Sequence, residues 1–222
     1  LLTLFAYYGL PKYFLSSGLS EQIAAWGWGP DSRYVDMLPF AYWAAMSLIL
    51  RIVLPCLIII YVFKDSVSAY GYRFIRGVSH ARIYLALYLG MLPVVVWAST
   101  LESFQRKYPF YKEAILGLDH FVLYQLCYGV QFLALEAFFR GFMLFALAKR
   151  FGYHAVFIMT VPYCMIHFGK PLPETVGAIF AGIALGYLAL RSRSWVYGAL
   201  LHWSVGISMD LLAIFHLGGF ES

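Results

Sequence analysis

The chain has 222 residues, 62% of them hydrophobic and 12% charged, with a mean hydropathy of +0.74. A soluble domain carries about 25% charged residues, so this chain lacks the polar groups to cover its own surface in water, and lipid has to be its solvent. Its net charge of +5 comes from Lys and Arg at the ends of apolar runs, with no basic stripe and no nucleic-acid motif, which excludes nucleic acid as a partner. The expected fold is all-α, a polytopic transmembrane helical bundle of about seven spans forming a single domain.

The chain opens directly on apolar residues, and the first segment, 1–15, reads as an incomplete helix interrupted by Pro11 and Lys12. A polar stretch over 16–36 carries Gly27, Trp28, Gly29 and Pro30, the pattern of an interfacial loop with an aromatic anchor. The second span, 37–63, is broken by Arg51 and Pro55. A third covers 83–98. The fourth, 121–147, is the longest, contains Glu136 and Arg140, and stops at Lys149 and Arg150. A fifth, 155–167, ends in His167. A sixth, 174–190, carries Gly177, Ala178, Ala181, Gly182, Ala184 and Gly186, small residues that suit close helix packing in lipid. The seventh, 195–215, holds His202 and Asp210 and is closed by Gly218 and Gly219. There is no internal repeat.

Threading the spans alternately sorts the basic residues into two sets. Lys64, Arg73, Arg76, Arg82, Lys149, Arg150, Arg191 and Arg193 fall on one side; Lys12, Arg33, Arg106, Lys107, Lys112 and Lys170 fall on the other. The first set is richer and lies in shorter connections, which places it in the cytoplasm. Cys56, Cys127 and Cys164 form no C-x-x-C pair and read as buried small hydrophobes. The absence of Asn excludes N-linked glycosylation.

An ionisable group in hydrocarbon costs about 2.5–3.5 kcal/mol on insertion scales, so each needs a reason. Arg51, Glu136, Arg140, His167, His202 and Asp210 are such groups. Glu136 and Arg140 are four residues apart and share a helix face, where they can pair. Two histidines and a carboxylate in one half of the chain are the ligand types of a hydrolytic zinc. Without metal the same set can bind and deprotonate water and stabilise an oxyanion. Asp210 lies just over two turns beyond His202, roughly 12 Å along the axis, as a supporting carboxylate or a helix-pairing one. Glu174 follows Pro171 and Pro173 at an expected helix start, where a carboxylate caps. Arg51 is expected to pair with an acidic group or reach an interface. His80, His120, His154 and His216 fall near span ends and read as interfacial.

Glu136-Ala137-Phe138-Phe139-Arg140-Gly141 resembles the first motif of the type II CAAX prenyl endopeptidase family, also called CPBP or Abi intramembrane proteases: two glutamates, three variable positions, then Arg and Gly. Tyr163-Cys164-Met165-Ile166-His167 resembles the second motif, an aromatic residue with His four later, and His202 falls at the third motif's histidine. The likeness covers a core of about 119–217; residues 1–118 match only in being apolar. Two positions depart from the pattern. Leu135 replaces the first glutamate, the proposed water-activating base of well-studied members, and Gly206 replaces an Asn or Asp four residues after the third-motif His.

The resemblance implies an intramembrane endopeptidase that hydrolyses a peptide bond of a membrane-associated or lipid-anchored peptide or protein, with membrane lipid around it. Glu136 would be general base or metal ligand, Arg140 would orient it, and His167 and His202 would ligate zinc or polarise water; Asp210 is a further candidate ligand. The chemistry is Glu/His-based, with zinc or without metal, in a multi-pass protein of the bacterial inner (plasma) membrane. The two departures leave a second reading open, an inactive relative serving as a peptide-binding, immunity or scaffold protein. A small transporter using the buried charges as a relay is a third.

Overall fold

The computed structural model describes residues 1–25, 33–73 and 78–220. The expected interfacial turn at 27–30, Arg76 and the side chain of His80 lie outside the described residues. The chain is all-helical, 83% helix, with no strand among the described residues. Helices α1 (Leu2–Tyr8), α2 (Pro11–Ser16) and α3 (Leu19–Ala25) precede α4 (Leu38–Leu48) and α5 (Leu54–Leu57). Then follow α6 (Val78–Ser99), α7 (Glu102–Lys107), α8 (Leu118–Glu136), α9 (Leu144–Phe151), α10 (Ala155–Met165), α11 (Leu172–Ser192) and α12 (Val196–His216).

Among the described residues five helical runs are long and apolar enough to cross a membrane: Val35–Val62, Ala81–Ser99, Leu118–Met165, Leu172–Ser192 and Val196–His216. The protein is therefore an integral membrane protein, and its first segment departs from the sequence reading. The first segment, 1–15, is two short helices separated at Gly9 and Leu10, with Pro11 opening the second. At 1.5 Å per residue each covers about 10 Å, a third of the hydrocarbon thickness. The expected spans 121–147 and 155–167 lie in one 48-residue run. Kept straight it would reach about 72 Å, more than twice that thickness. Instead it breaks at the 3-10 turn Gly152–His154, where Gly152 takes φ +54°, a conformation that favours glycine.

This run is the centre of the bundle. Of its most apolar window 67% is buried inside the protein, against 11% for Ala81–Ser99 and 22% for Val35–Val62. Leu57, Tyr61, Leu126, Val161 and Phe180 lie outside and exposed, as lipid-facing side chains should. Its Phe138, Phe139, Met159 and Tyr163 cluster with Ala178 and Ala189 of α11, and its Tyr124, Tyr128 and Phe132 form an aromatic cluster with Tyr111, Met37 and Ile214. The small-residue pattern of the sixth expected span acts as read. A Cβ on Gly182 would stand 2.7 Å from Thr160 Cγ2, and one on Gly186 3.0 Å from Met159 and Val156, so α10 and α11 touch at backbone distance. Gly177 has nothing within 4 Å and takes no part.

The two sets of basic loops meet at opposite ends of the fold. At one, Arg73 Nε donates to Arg193 O at 3.0 Å, Ser194 Oγ donates to Arg73 O at 2.6 Å, and Lys149 pairs with Asp65. The bonds from Lys149 and from the Ser66 amide hold the Asp65 carboxyl below its ordinary range. At the other end Lys170 pairs with Glu174 at 2.6 Å, Tyr108 Oη donates to Glu174 at 2.5 Å, and Arg33 and Tyr34 bind Asp119 at 2.7 and 2.8 Å. Glu174 thus stands in the first turn of α11 as expected, but it bonds Lys170 and Tyr108 rather than capping backbone amides. His120 is buried and bonded to Tyr111 Oη at 2.9 Å, not interfacial. The three cysteines are free and half-buried.

Candidate active site

Between α8 and α9 the central run widens into a π-helical stretch, Ala137–Met143. Such widened turns carry an extra residue and recur at functional sites. Glu136 ends the regular helix just before it, and Arg140 sits within it; both side chains are fully buried. Arg140 Nη1 donates to Glu136 Oε1 at 2.9 Å. The guanidinium lies over the Tyr163 ring of α10, 3.7 Å from its centroid, and Nη2 reaches the Ala181 carbonyl of α11 at 3.4 Å. One arginine therefore ties three helices together and supplies the charge that Glu136 needs inside the bundle.

The same Glu136 Oε1 accepts a second bond, from His202 Nδ1 of α12 at 2.9 Å. With Arg140 neutralising it, the carboxylate is an acceptor, so His202 Nδ1 carries the proton and Nε2 is left with its lone pair. His167 is fixed in the same tautomer by another route. Its Nδ1 lies 2.8 Å from the Tyr163 carbonyl, and a carbonyl only accepts. Tyr163 spaces the two imidazoles, with ring centroids 4.7 Å from His167 and 6.3 Å from His202. Phe132 covers the other side of His202 at 4.5 Å.

Both histidines line one cavity of about 390 Å³, together with Tyr128, Gln131, Phe132, Leu135, Arg51 and Lys170. That volume falls in the range of small-molecule pockets. Tyr128, Gln131, Phe132 and Leu135 follow the i, i+3, i+4, i+7 pattern of one helix face. Glu136, a further 100° around the helix, points away from that face and does not line the cavity. The position where the motif's first glutamate would stand thus faces the cavity, and here it holds Leu135.

The sequence candidates are only partly gathered. Glu136, Arg140, His167 and His202 form one cluster linked through Tyr163. Asp210 does not join it: α12 continues unbroken through His216, and the buried Asp210 accepts from Gln125 Nε2 at 2.7 Å instead. Nor do the donors fit the three-ligand zinc set that the sequence suggested. No group of three or more His, Cys, Asp or Glu that could hold a metal occurs among the described residues; Glu136 Oε1 is committed to Arg140 and His202, and Oε2 is buried without a partner among the described residues.

Three contributors were not among the sequence candidates. Tyr163 appears in the second motif only as its aromatic residue, and neither Phe132 nor Gln131 carries a motif; only their helical phase with Leu135 marks them. Arg51 has no acidic partner among the described residues. It is buried, with its guanidinium 3.5 Å from the Phe5 centroid.

A membrane-embedded helical bundle with a Glu–Arg–His cluster beside an internal cavity defines a class, a polytopic membrane protein with a polar intramembrane site. Residues 119–208 match the family model of type II CAAX prenyl endopeptidase, Rce1-like proteins. The matched stretch covers about two fifths of the chain and includes Glu136, Arg140, His167 and His202 but stops short of Asp210. No curated protein and no solved structure matches the chain.

Proposed function

We propose that the protein is an intramembrane endopeptidase acting on membrane-associated peptides or proteins, with the His202–Glu136 pair as its hydrolytic base. The observation that carries this reading is the shared Glu136 Oε1. It holds Arg140 Nη1 and His202 Nδ1 both at 2.9 Å, and this leaves His202 Nε2 free toward the cavity. The arrangement follows the logic of a carboxylate that orients an imidazole and stabilises the imidazolium once it forms. It differs from the sequence expectation in one role. Glu136 is set behind the histidine rather than against the water.

In this reading a water in the cavity hydrogen-bonds to the bare Nε2 atoms of His202 and His167. His202 takes its proton as the oxygen adds to the peptide carbonyl. The same proton then passes to the departing amine as the C–N bond breaks. Arg140 keeps Glu136 ionised throughout. No step passes through a metal. Membrane lipid surrounds the site, and the apolar walls at Phe132, Leu135 and Met165 suit an apolar peptide. The basic end at Arg73, Lys149 and Arg193 faces the cytoplasm in this reading, by its excess of positive charge.

Cleavage of a membrane-protein pool in proteoliposomes tests this. Wild type should release peptides, with a chelator present, and Asp210→Asn should do the same; Glu136→Gln should release almost none. Release by Glu136→Gln at the wild-type level would refute the assignment. Loss of release with the chelator, together with stoichiometric zinc that vanishes in His167→Ala and His202→Ala, would replace it with a metal mechanism. Wild type that binds peptides but releases none would favour the second reading, for which the observation is Leu135 in the cavity wall.

A further inference from the structure

Arg51 is 5% exposed and lies on a transmembrane run, yet no acid reaches it among the described residues. Its Nε and Nη1 are buried and without a hydrogen-bond partner. The face of the guanidinium is covered by Phe5, so only its N–H edge remains to bind. Arg51 is one of the residues that line the cavity shared by His167 and His202. Two more polar atoms on the same wall are equally unmatched, Trp43 Nε1 and Gln131 Oε1. Gln131 can present its amide nitrogen by rotating that group. Among the described residues no Asp or Glu lines the cavity, and its other cation, Lys170, is already paired with Glu174 at 2.6 Å.

Buried donors are almost always satisfied, and a buried guanidinium more stringently than most. A wall with an unpaired arginine edge, an indole N–H and no acid of its own is complementary to an anion with two acceptor atoms in a plane. A carboxylate has that shape and takes two parallel N–H bonds from arginine. Apolar side chains around it (Phe110, Met165, Leu135) suit an apolar peptide.

We propose that Arg51 is a specificity residue that binds a carboxylate of the peptide in this cavity, so that the site selects peptides bearing a carboxylate near the position presented to the two histidines. This deepens the endopeptidase reading and rests on it for the identity of the ligand as a peptide; the binding itself needs no cleavage. The carboxylate could belong to a free C-terminus or to an Asp or Glu side chain.

Three short probes separate these sources: N-dansyl-leucyl-leucine, its C-terminal amide, and N-dansyl-glutamyl-leucinamide. Their binding to purified wild type, Arg51→Met and Arg51→Lys in mild detergent is read by dansyl fluorescence. One carboxylate probe should bind wild type about tenfold or more tightly than the amide, from the strength of a charge-assisted bond. A free-acid preference identifies the C-terminus, and a glutamyl preference identifies a side chain. Arg51→Met should abolish the preference. If that variant does not yield folded protein, Arg51→Lys, which keeps the charge but lacks the fork, should reduce it severalfold. Equal binding of all three probes to wild type, no saturable binding of any, or a preference unchanged in Arg51→Lys overturns the proposal. So does displacement of the bound probe by dodecyl phosphate but not by dodecanoate, which would make the site a phosphate site. A carboxylate preference lost with Arg51 stands even if no peptide is ever cut. Cleavage that depends on His202 without such a preference sinks this proposal and spares the protease reading.

Discussion

Arg140→Met is expected to cost about 3–5 kcal/mol of stability, the penalty for leaving a buried charge unpaired. Arg140 and Glu136 are both fully buried and bonded at 2.9 Å. Methionine fills a similar volume but leaves Glu136 with only His202 as partner, inside the most buried run of the molecule. It also removes the stack on Tyr163 and the bond to Ala181 O that join α10 and α11 to the centre. The double variant Arg140→Met with Glu136→Leu removes both charges together. It should recover most of the lost stability, because replacing a buried pair by apolar groups is often neutral or better. Thermal unfolding in mild detergent, followed by fluorescence-detected size exclusion, measures both. A single variant as stable as wild type would mean that the pair does not hold the helices, and a double variant as unstable as the single would place the damage in packing rather than charge.

His202→Gln carries the second large effect, on rate. Glutamine keeps a donor for Glu136 Oε1 and a similar length but has no basic nitrogen to face the cavity. Loss of a general base lowers rates by about 10²–10⁴-fold, and peptide release should fall by that factor while the unfolding temperature stays close to wild type. His202 is partly open to the cavity and makes one hydrogen bond, to Glu136, so the substitution leaves little buried polar surface unmatched. A fall in release that matches a fall in folded protein would assign His202 to structure. Release at the wild-type rate would move the base elsewhere, with His167 the remaining imidazole in the cavity.

Much of this arrangement was legible in the sequence because membrane insertion makes polar residues conspicuous. The all-helical fold, the two charged ends, the close packing along Gly182 and Gly186 and the grouping of Glu136, Arg140, His167 and His202 follow from hydropathy, small-residue spacing and motif order. Length alone misjudged the first segment, since 1–15 is apolar enough to suggest a span while Gly9 and Pro11 divide it. The direction in which neighbouring side chains point was not legible. Leu135 and Glu136 are adjacent in sequence, yet the helix turns one into the cavity and the other toward His202.

Gly206 has a similar explanation. A Cβ at that position would stand 2.7 Å from the Phe132 ring, the ring that covers His202. The space an Asn side chain would need is taken by an aromatic residue 74 positions away, so the departure from the motif and the presence of Phe132 are one packing solution. Asp210 was named from its distance along the helix, which placed it correctly on α12 but gave no hint of Gln125. Arg51 is expected from the sequence to pair with an acid or reach an interface, a fair inference from the cost of an unpaired charge, but it is buried and no acid reaches it among the described residues.

The central claim is that the Glu136–His202 pair activates water for peptide hydrolysis, and solvent labelling tests it most directly. Wild type, Glu136→Gln and His202→Gln in proteoliposomes would be given a membrane-protein pool in water enriched in oxygen-18, and the new peptide termini read by mass spectrometry. Wild type should produce termini carrying a solvent oxygen in the new carboxyl group, and neither variant should produce them above background. The same labelled termini from all three proteins, or none from folded wild type, would contradict the claim.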